Sequence, residues 1–210
     1  MIVRAMLEPF DDPEWLYEIK QDGFRALAVI EQGRCRFYSK SKHRLTGFRD
    51  LGEAITRELH VDNAILDGEL GASDESGRTV FTALMQRAKP ARYFAFDLLW
   101  LNGSDLRSLP LQWRKIELKR LLPARCADIL YVEHTRGAGT DLYRLACQLD
   151  LEGIVAKRAD SPYGEIEPAR DWIKIDNPHY SQQGRRGEFF RKAEARRSLK
   201  TEGSVRNQDQ

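Results

Sequence analysis

Cysteine is scarce and scattered: Cys35, Cys126 and Cys147 stand far apart, with no Cys-x-x-Cys pair. That spacing suggests neither a disulfide framework nor a zinc site. The four histidines, His43, His60, His134 and His179, are equally dispersed and form no His-Glu-x-x-His helix, so they read as surface or core residues rather than metal ligands. Long hydrophobic runs are missing too. No apolar stretch approaches the length of a membrane span, and the first residues lack a signal-peptide pattern. The expectation is a cytoplasmic protein without membrane contact.

Net charge is also nearly lacking, at +2, but its distribution is uneven. Residues 181–210 hold eight Lys/Arg against four Asp/Glu, whereas the rest of the chain holds 26 basic and 28 acidic residues. A near-neutral body therefore carries a basic tail, which is either simply solvated or able to hold a polyanion. With 41% hydrophobic and 31% charged residues over 210 positions, the body is large enough for one substantial core.

Alternating apolar and polar positions predict strands near Trp15–Lys20, Phe24–Ile30 and Arg34–Ser39, broken at Asp22-Gly23 and Gln32-Gly33. Read together they make an antiparallel meander. Helical spacing follows over Phe48–Leu59, then the buried strand "AILDGELGA", a polar loop, and a helix around Phe81–Arg87. "ARYFAFDLLWL" is a second apolar strand ending at the turn "NGSD", and Pro110 opens a helix from about Leu111 to Leu122. A strand near Ile129–Glu133, a helix near Asp141–Gln148, and strands at Gly153–Lys157 and Asp171–Ile175 complete the body. Without regular βαβ alternation, the fold class is α+β with largely antiparallel sheets. The body is expected to span residues 1–178 and the tail 179–210.

Several of these apolar strands contain charges: Glu69, Asp97, Glu152 with Lys157, and Lys174. A charge inside a strand is costly unless it is paired, metal-bound or facing a cleft. Each alone could be the polar side of an alternating strand; together, with both signs, they point to one shared polar cleft. Near the start, "KQDGFR" adds Lys20 and Arg25 around Asp22-Gly23, more charge than a turn requires, although a solvated hairpin tip also fits.

These stretches resemble the nucleotidyltransferase domain of ATP-dependent DNA ligases, most closely the bacterial end-joining type. The family's Lys-x-Asp-Gly-x-Arg motif reads "KQDGFR", followed by "LDGE" at Leu66–Glu69 and "FDLL" continuing to Arg114. "LEGIVAKRADSPY" spans Leu151–Tyr163 and "RDWIKI" spans Arg170–Ile175. All five stand in the family's order over nearly the whole body. The resemblance implies an ATP-grasp-like fold. It also implies that the motif lysine attacks the α-phosphorus of ATP, releases pyrophosphate and keeps AMP as a phosphoramidate. An unperturbed lysine, pKa about 10.4, is neutral in roughly one copy in a few thousand at pH 7, so nearby cations or desolvation must raise that fraction. Mg²⁺ and ATP are the implied cofactors, and nicked double-stranded DNA the implied substrate.

Carried over by position, the resemblance makes Lys20 the nucleophile, with Asp22 supporting the site or the nucleic acid. Glu18 would face the adenine and Phe96 would stack on it. Arg25 and Glu69 would contact the ribose, Glu69 also lying near metal. Glu152 would bind metal, while Lys157 and Lys174 would contact phosphates, Lys174 as part of the catalytic set. Lys40 and the tail residues Arg185 and Arg186 would meet nucleic acid. Plainer roles stand beside these: Phe96 as core packing, Lys157 and Arg158 as a solvated strand end, and Asp67 as a group that only orients Gly68.

Three departures from the family pattern matter. Lys40 in "SKSK" replaces an arginine that meets the nick phosphate, keeping charge but losing bidentate geometry. Asp176 occupies the position of a second lysine in the last motif. The residues after Pro178 are too few for the OB-fold domain that usually follows, so a nucleotidyltransferase domain without an OB fold is expected, as a monomer. A partner protein would then supply the OB-fold or DNA-end-binding function. An RNA ligase, a capping-type nucleotidyltransferase, or a non-enzymatic DNA-end-binding protein derived from a ligase are the alternatives.

Overall fold

The computed structural model describes residues 4–75, 77–86, 88–164 and 168–184. In chain order its elements begin with β1 (Arg4–Met6), β2 (Trp15–Ile19), β3 (Phe24–Glu31), β4 (Arg34–Ser39), α1 (Arg49–Glu58) and β5 (Asn63–Gly71). They continue with α2 (Phe81–Met85), β6 (Arg92–Leu101), β7 (Ser104–Asp105), α3 (Leu111–Leu121), β8 (Ile129–Tyr131) and β9 (His134–Arg136). The last are α4 (Gly139–Gln148), β10 (Gly153–Arg158) and β11 (Trp172–Asp176). The strands form two sheets, β1-β11-β10-β2-β9 and β4-β3-β5-β6-β7, with β8 added beside β6. Only β1–β11 and β6–β8 are parallel pairs among the described strands, so the α+β, largely antiparallel expectation is met.

Each sheet buries one face. In the first, Trp15, Tyr17, Ile154, Ala156, Ile173 and Ile175 alternate along three strands and pack with Ala146 of α4. In the second, Ala26, Ala28, Ile30, Leu66, Leu70 and Leu98 pack beneath Leu51 and Ile55 of α1 and Leu118 of α3. Period-two alternation leaves the opposite faces to the polar residues of the same strands. The apolar backs are covered by helices, and the charged fronts meet at a seam.

The expected meander from Trp15 to Ser39 is half right. β3 and β4 form a hairpin closed by Gln32 and Gly33, at φ 50° and 67°, the left-handed pair a two-residue turn needs. β2, however, lies in the other sheet, between β10 and β9. Asp22-Gly23 is therefore a crossover between sheets and not a hairpin tip. Asp22 is buried, and its N–H donates to Thr79 Oγ1 at 2.9 Å. A Cβ on Gly23 would sit 2.1 Å from the carbonyl oxygen of Leu70, so glycine is required by close approach.

Asp97 also departs from expectation. It leaves the cleft and forms a fully buried bidentate pair with Arg114 of α3, at 2.8 and 2.9 Å. Arg114 also donates to the Ser161 carbonyl at 3.0 Å. Burial raises the Asp97 pKa, and Arg114 only partly opposes that. The pair pins α3 to β6; it is scaffold.

Candidate active site

The front of the first sheet is assembled by register. Glu18 lies opposite Val155, which lies opposite Lys174; Leu16 lies opposite Lys157, which lies opposite Trp172. Directly opposed residues share a face, so Glu18, Lys157, Trp172 and Lys174 project together. Asp176 is two residues beyond Lys174 and projects with them. Lys20 follows β2 and is anchored by its N–H to the Gly153 carbonyl at 3.0 Å.

Two charge clusters result. At one end Glu18 is buried between two lysines: its Oε1 contacts Lys115 Nζ, and its Oε2 lies 2.5 Å from Lys157 Nζ. Burial pushes the Glu18 carboxyl up, but Lys115 and Lys157 together pull it below the usual range. Burial pulls Lys157 down to about 8, with Glu18 opposing. Lys157 Nζ also lies 4.1 Å from the Phe96 ring centroid and 4.0 Å from that of Trp172, so the cation is held between two aromatic faces. At the other end Lys20 Nζ contacts Glu152 and lies 3.7 Å from Asp176 Oδ1, while Lys174 Nζ lies 3.1 Å from Asp176 Oδ2.

The second sheet contributes from across the seam. Arg25 forks onto Asp67, with hydrogen bonds of 3.1 and 2.5 Å, and Tyr163 donates to the same carboxylate at 2.8 Å. Its guanidinium carbon lies 5.6 Å from the Phe96 ring and 5.3 Å from the Trp172 ring. Glu69 is directly opposite Arg25 in the ladder and half-buried. Phe96 and Trp172 meet edge to face at 5.8 Å, so Phe96 is half-buried at the seam rather than in either apolar core.

The structure thus brings together Glu18, Lys20, Arg25, Glu69, Phe96, Glu152, Lys157 and Lys174. Asp22 stands just behind Lys20, buried, with its carboxylate accepting the Phe81 N–H. Lys40 is exposed in the turn after β4. Arg185 and Arg186 lie outside the described residues. Lys115, Tyr163 and Trp172 join the site with no role read from the sequence, and Asp67 joins it as the partner of Arg25 rather than a mere support for Gly68. Asp67 and Trp172 sit inside quoted motifs, and Tyr163 ends one. Lys115 gave no sequence signal, since a lysine in "LQWRKIELKR" reads as solvated.

Glu152, Asp176 and Glu69 supply carboxylate oxygens, the donor chemistry Mg²⁺ uses. Among the described residues no three acidic, cysteine or histidine side chains converge on one point. An ion here would complete its shell with phosphate oxygens and water, as Mg²⁺ commonly does. The residues fit that ion.

Residues 2–176 match the ATP dependent DNA ligase domain family. The chain belongs to that family. Over 168 residues it is 37% identical to the multifunctional non-homologous end joining protein LigD of Pseudomonas aeruginosa, covering 77% of this chain and 20% of that protein. It is 29% identical to the SPbeta prophage-derived DNA ligase-like protein LigB of Bacillus subtilis over 190 residues, covering 87% of this chain and 68% of that protein. Among solved structures, mycobacterial DNA ligase D complexed with ATP and MES has a TM-score of 0.68 at 26% identity, covering 83% of this chain and 60% of that one. This ligase domain therefore spans a fifth of the length of the Pseudomonas relative. Its two-sheet architecture is that of the LigD ligase domain, and the expected resemblance to end-joining ligases is met.

Proposed function

We propose that this ligase domain transfers AMP from ATP to Lys20 and passes it on in sealing nicked DNA. The observation that carries the reading is Lys20 set between Glu152 and Asp176, on the face that also presents Glu18, Lys157 and Lys174. An amine there has a carboxylate in contact to receive its proton, and Lys174 on the other side of Asp176 to hold phosphate. In the transfer, the Lys20 Nζ lone pair forms a bond to the α-phosphorus. The bond from that phosphorus to the bridging oxygen breaks, and pyrophosphate departs with the electron pair. The proton lost from Nζ passes to Glu152 or to solvent.

Phe96 and Trp172 offer aromatic faces to adenine, with Glu18 as a hydrogen-bond acceptor beside them. Arg25 and Glu69 meet the ribose, and Lys174 the phosphates. Lys157, buried at the adenine end against Glu18, meets the phosphates only if the nucleotide draws it off that carboxylate. Glu152 or Glu69, with phosphate oxygens and water completing the shell, would hold Mg²⁺, which supplies positive charge at the phosphates. Lys40 and the basic tail, Arg185 and Arg186 included, hold the DNA backbone. Incubation with ATP labelled at the α-phosphate, then chase onto nicked DNA, tests this reading: label should move from protein to the DNA 5′-phosphate and leave as free AMP when the 3′-hydroxyl closes the nick. Label that stays on protein and never reaches DNA contradicts the joining step.

Asp176 favours a second reading, a weakly active DNA-end-binding protein. Its carboxylate stands 3.7 Å from Lys20 and 3.1 Å from Lys174, so it sets negative charge where phosphates must approach. We expect slow charging with a steep Mg²⁺ requirement in the unaltered chain. Asp176→Lys should speed charging at least several-fold at limiting ATP, measured as the initial rate of label incorporation. An unchanged or lower rate shows that Asp176 does not oppose the phosphates.

A further inference from the structure

Tyr180 lies beyond the matched region, yet it is buried. Its hydroxyl donates to Asp22 Oδ2 at 2.8 Å, and the same oxygen accepts the Phe81 N–H at 3.2 Å. The Asp22 N–H in turn donates to Thr79 Oγ1 at 2.9 Å, and the Thr79 hydroxyl donates to Gln21 Oε1 at 3.3 Å. The crossover behind Lys20 is thus held by two outside segments, the one entering α2 and the one leaving β11.

The segment that carries Tyr180 is itself fixed. The Asn177 N–H donates to the Glu152 carbonyl at 2.9 Å, and its side-chain amide to the Leu151 carbonyl at 3.0 Å. Ser181 donates to Asp150 twice, from its N–H at 2.9 Å and its hydroxyl at 2.6 Å. The strap is anchored on both sides of Tyr180, so its hydroxyl can constrain what it touches.

We propose that Tyr180 is a positioning residue for the nucleophile, acting through Asp22 to fix the Lys20–Gly23 crossover against α2. The inference rests on the reading of Lys20 as the adenylated residue. Lys20 is two residues from Asp22; of its partners, Glu152 accepts the Asn177 N–H at its carbonyl and Asp176 directly precedes Asn177. The Tyr180 hydrogen bond thus reaches the crossover from a strap whose Asn177 also holds the backbone at Glu152. Tyr180 touches no reacting atom; it restricts where Lys20 can go.

Tyr180→Phe tests this, since it keeps the ring and removes only the donor. Two readouts are taken on the full chain: amide hydrogen exchange by mass spectrometry, and the rate of AMP incorporation against ATP concentration. The expected result is exchange at residues 20–25 faster by about fivefold or more, with β5 and β6 unchanged. Charging at saturating ATP should fall about three- to tenfold, the size of a lost buried hydrogen bond, with the KM for ATP unchanged. Unchanged exchange at 20–25 overturns the proposal. So does loss of protection throughout the body, or faster local exchange with an unaltered charging rate. If the parent chain takes up no AMP, the proposed function fails, and the exchange comparison still decides whether Tyr180 holds the crossover.

Discussion

Lys20→Arg is expected to abolish the proposed covalent AMP uptake while leaving the fold intact. Arginine can keep the ion pairs that Lys20 makes with Glu152 and Asp176, and the position is partly exposed, so the body has no reason to unfold. Guanidinium stays protonated at any working pH and offers no lone pair to phosphorus. The loss is therefore chemical, reading as background labelling after incubation with α-labelled ATP and Mg²⁺, with an unchanged thermal midpoint. A variant that still labels would place the nucleophile elsewhere.

Glu18→Gln has the largest expected effect on stability. The Glu18 carboxylate is the shared partner of Lys115 and Lys157, and all three side chains are at most 3% exposed. Removing one member of a buried ionic set typically costs about 3–5 kcal/mol, because the remaining charge is left uncompensated. For a chain of this size that lowers the melting midpoint on the order of 10 °C. The pH dependence has a definite sign. Burial already pushes the folded Lys157 down to about 8, against 10.5 for an ordinary lysine. Without Glu18 its folded pKa falls further, so the unfolded chain binds more protons up to about 10.5, and stability of the variant rises with pH over that window. Urea denaturation at pH 7 and pH 9 measures it. Equal stability of variant and parent at pH 7 would show that the lysines do not depend on Glu18.

How far the sequence foretold this arrangement depends on how local each signal was. Strand alternation in "WIKID" and "GIVAKR" already separates Lys157, Lys174 and Asp176 from the isoleucines behind them, and the structure keeps that division. The β3–β4 hairpin was legible for the same reason, a two-residue Gln-Gly turn between alternating strands. Asp22-Gly23 carries the same turn chemistry but serves a different geometry. Its glycine answers to the Leu70 backbone and its aspartate to Phe81 and Tyr180, all distant in sequence.

The middle turn of helix α3 inverts the binary pattern: Trp113 and Ile116 are exposed, whereas Arg114 and Lys115 are fully buried. Those two charges are satisfied by Asp97 and Glu18 from other elements, which no local reading of the helix can supply. Asp67 was passed over for a related reason. Arg25 faces Glu69 directly in the ladder but forks onto Asp67, its diagonal neighbour, whose carboxylate also accepts the Tyr163 hydroxyl. β1 and β9, three residues each, are too short to show a period.

The central claim is that Lys20 becomes the AMP carrier, and peptide mapping by mass spectrometry tests it most directly. The unaltered chain is incubated with ATP and Mg²⁺, digested, and each lysine inspected for an added adenylyl group. The account predicts one adenylyl group, on Lys20, removed again when pyrophosphate is added. An adduct on Lys157 or Lys174, or none on any lysine, would contradict it.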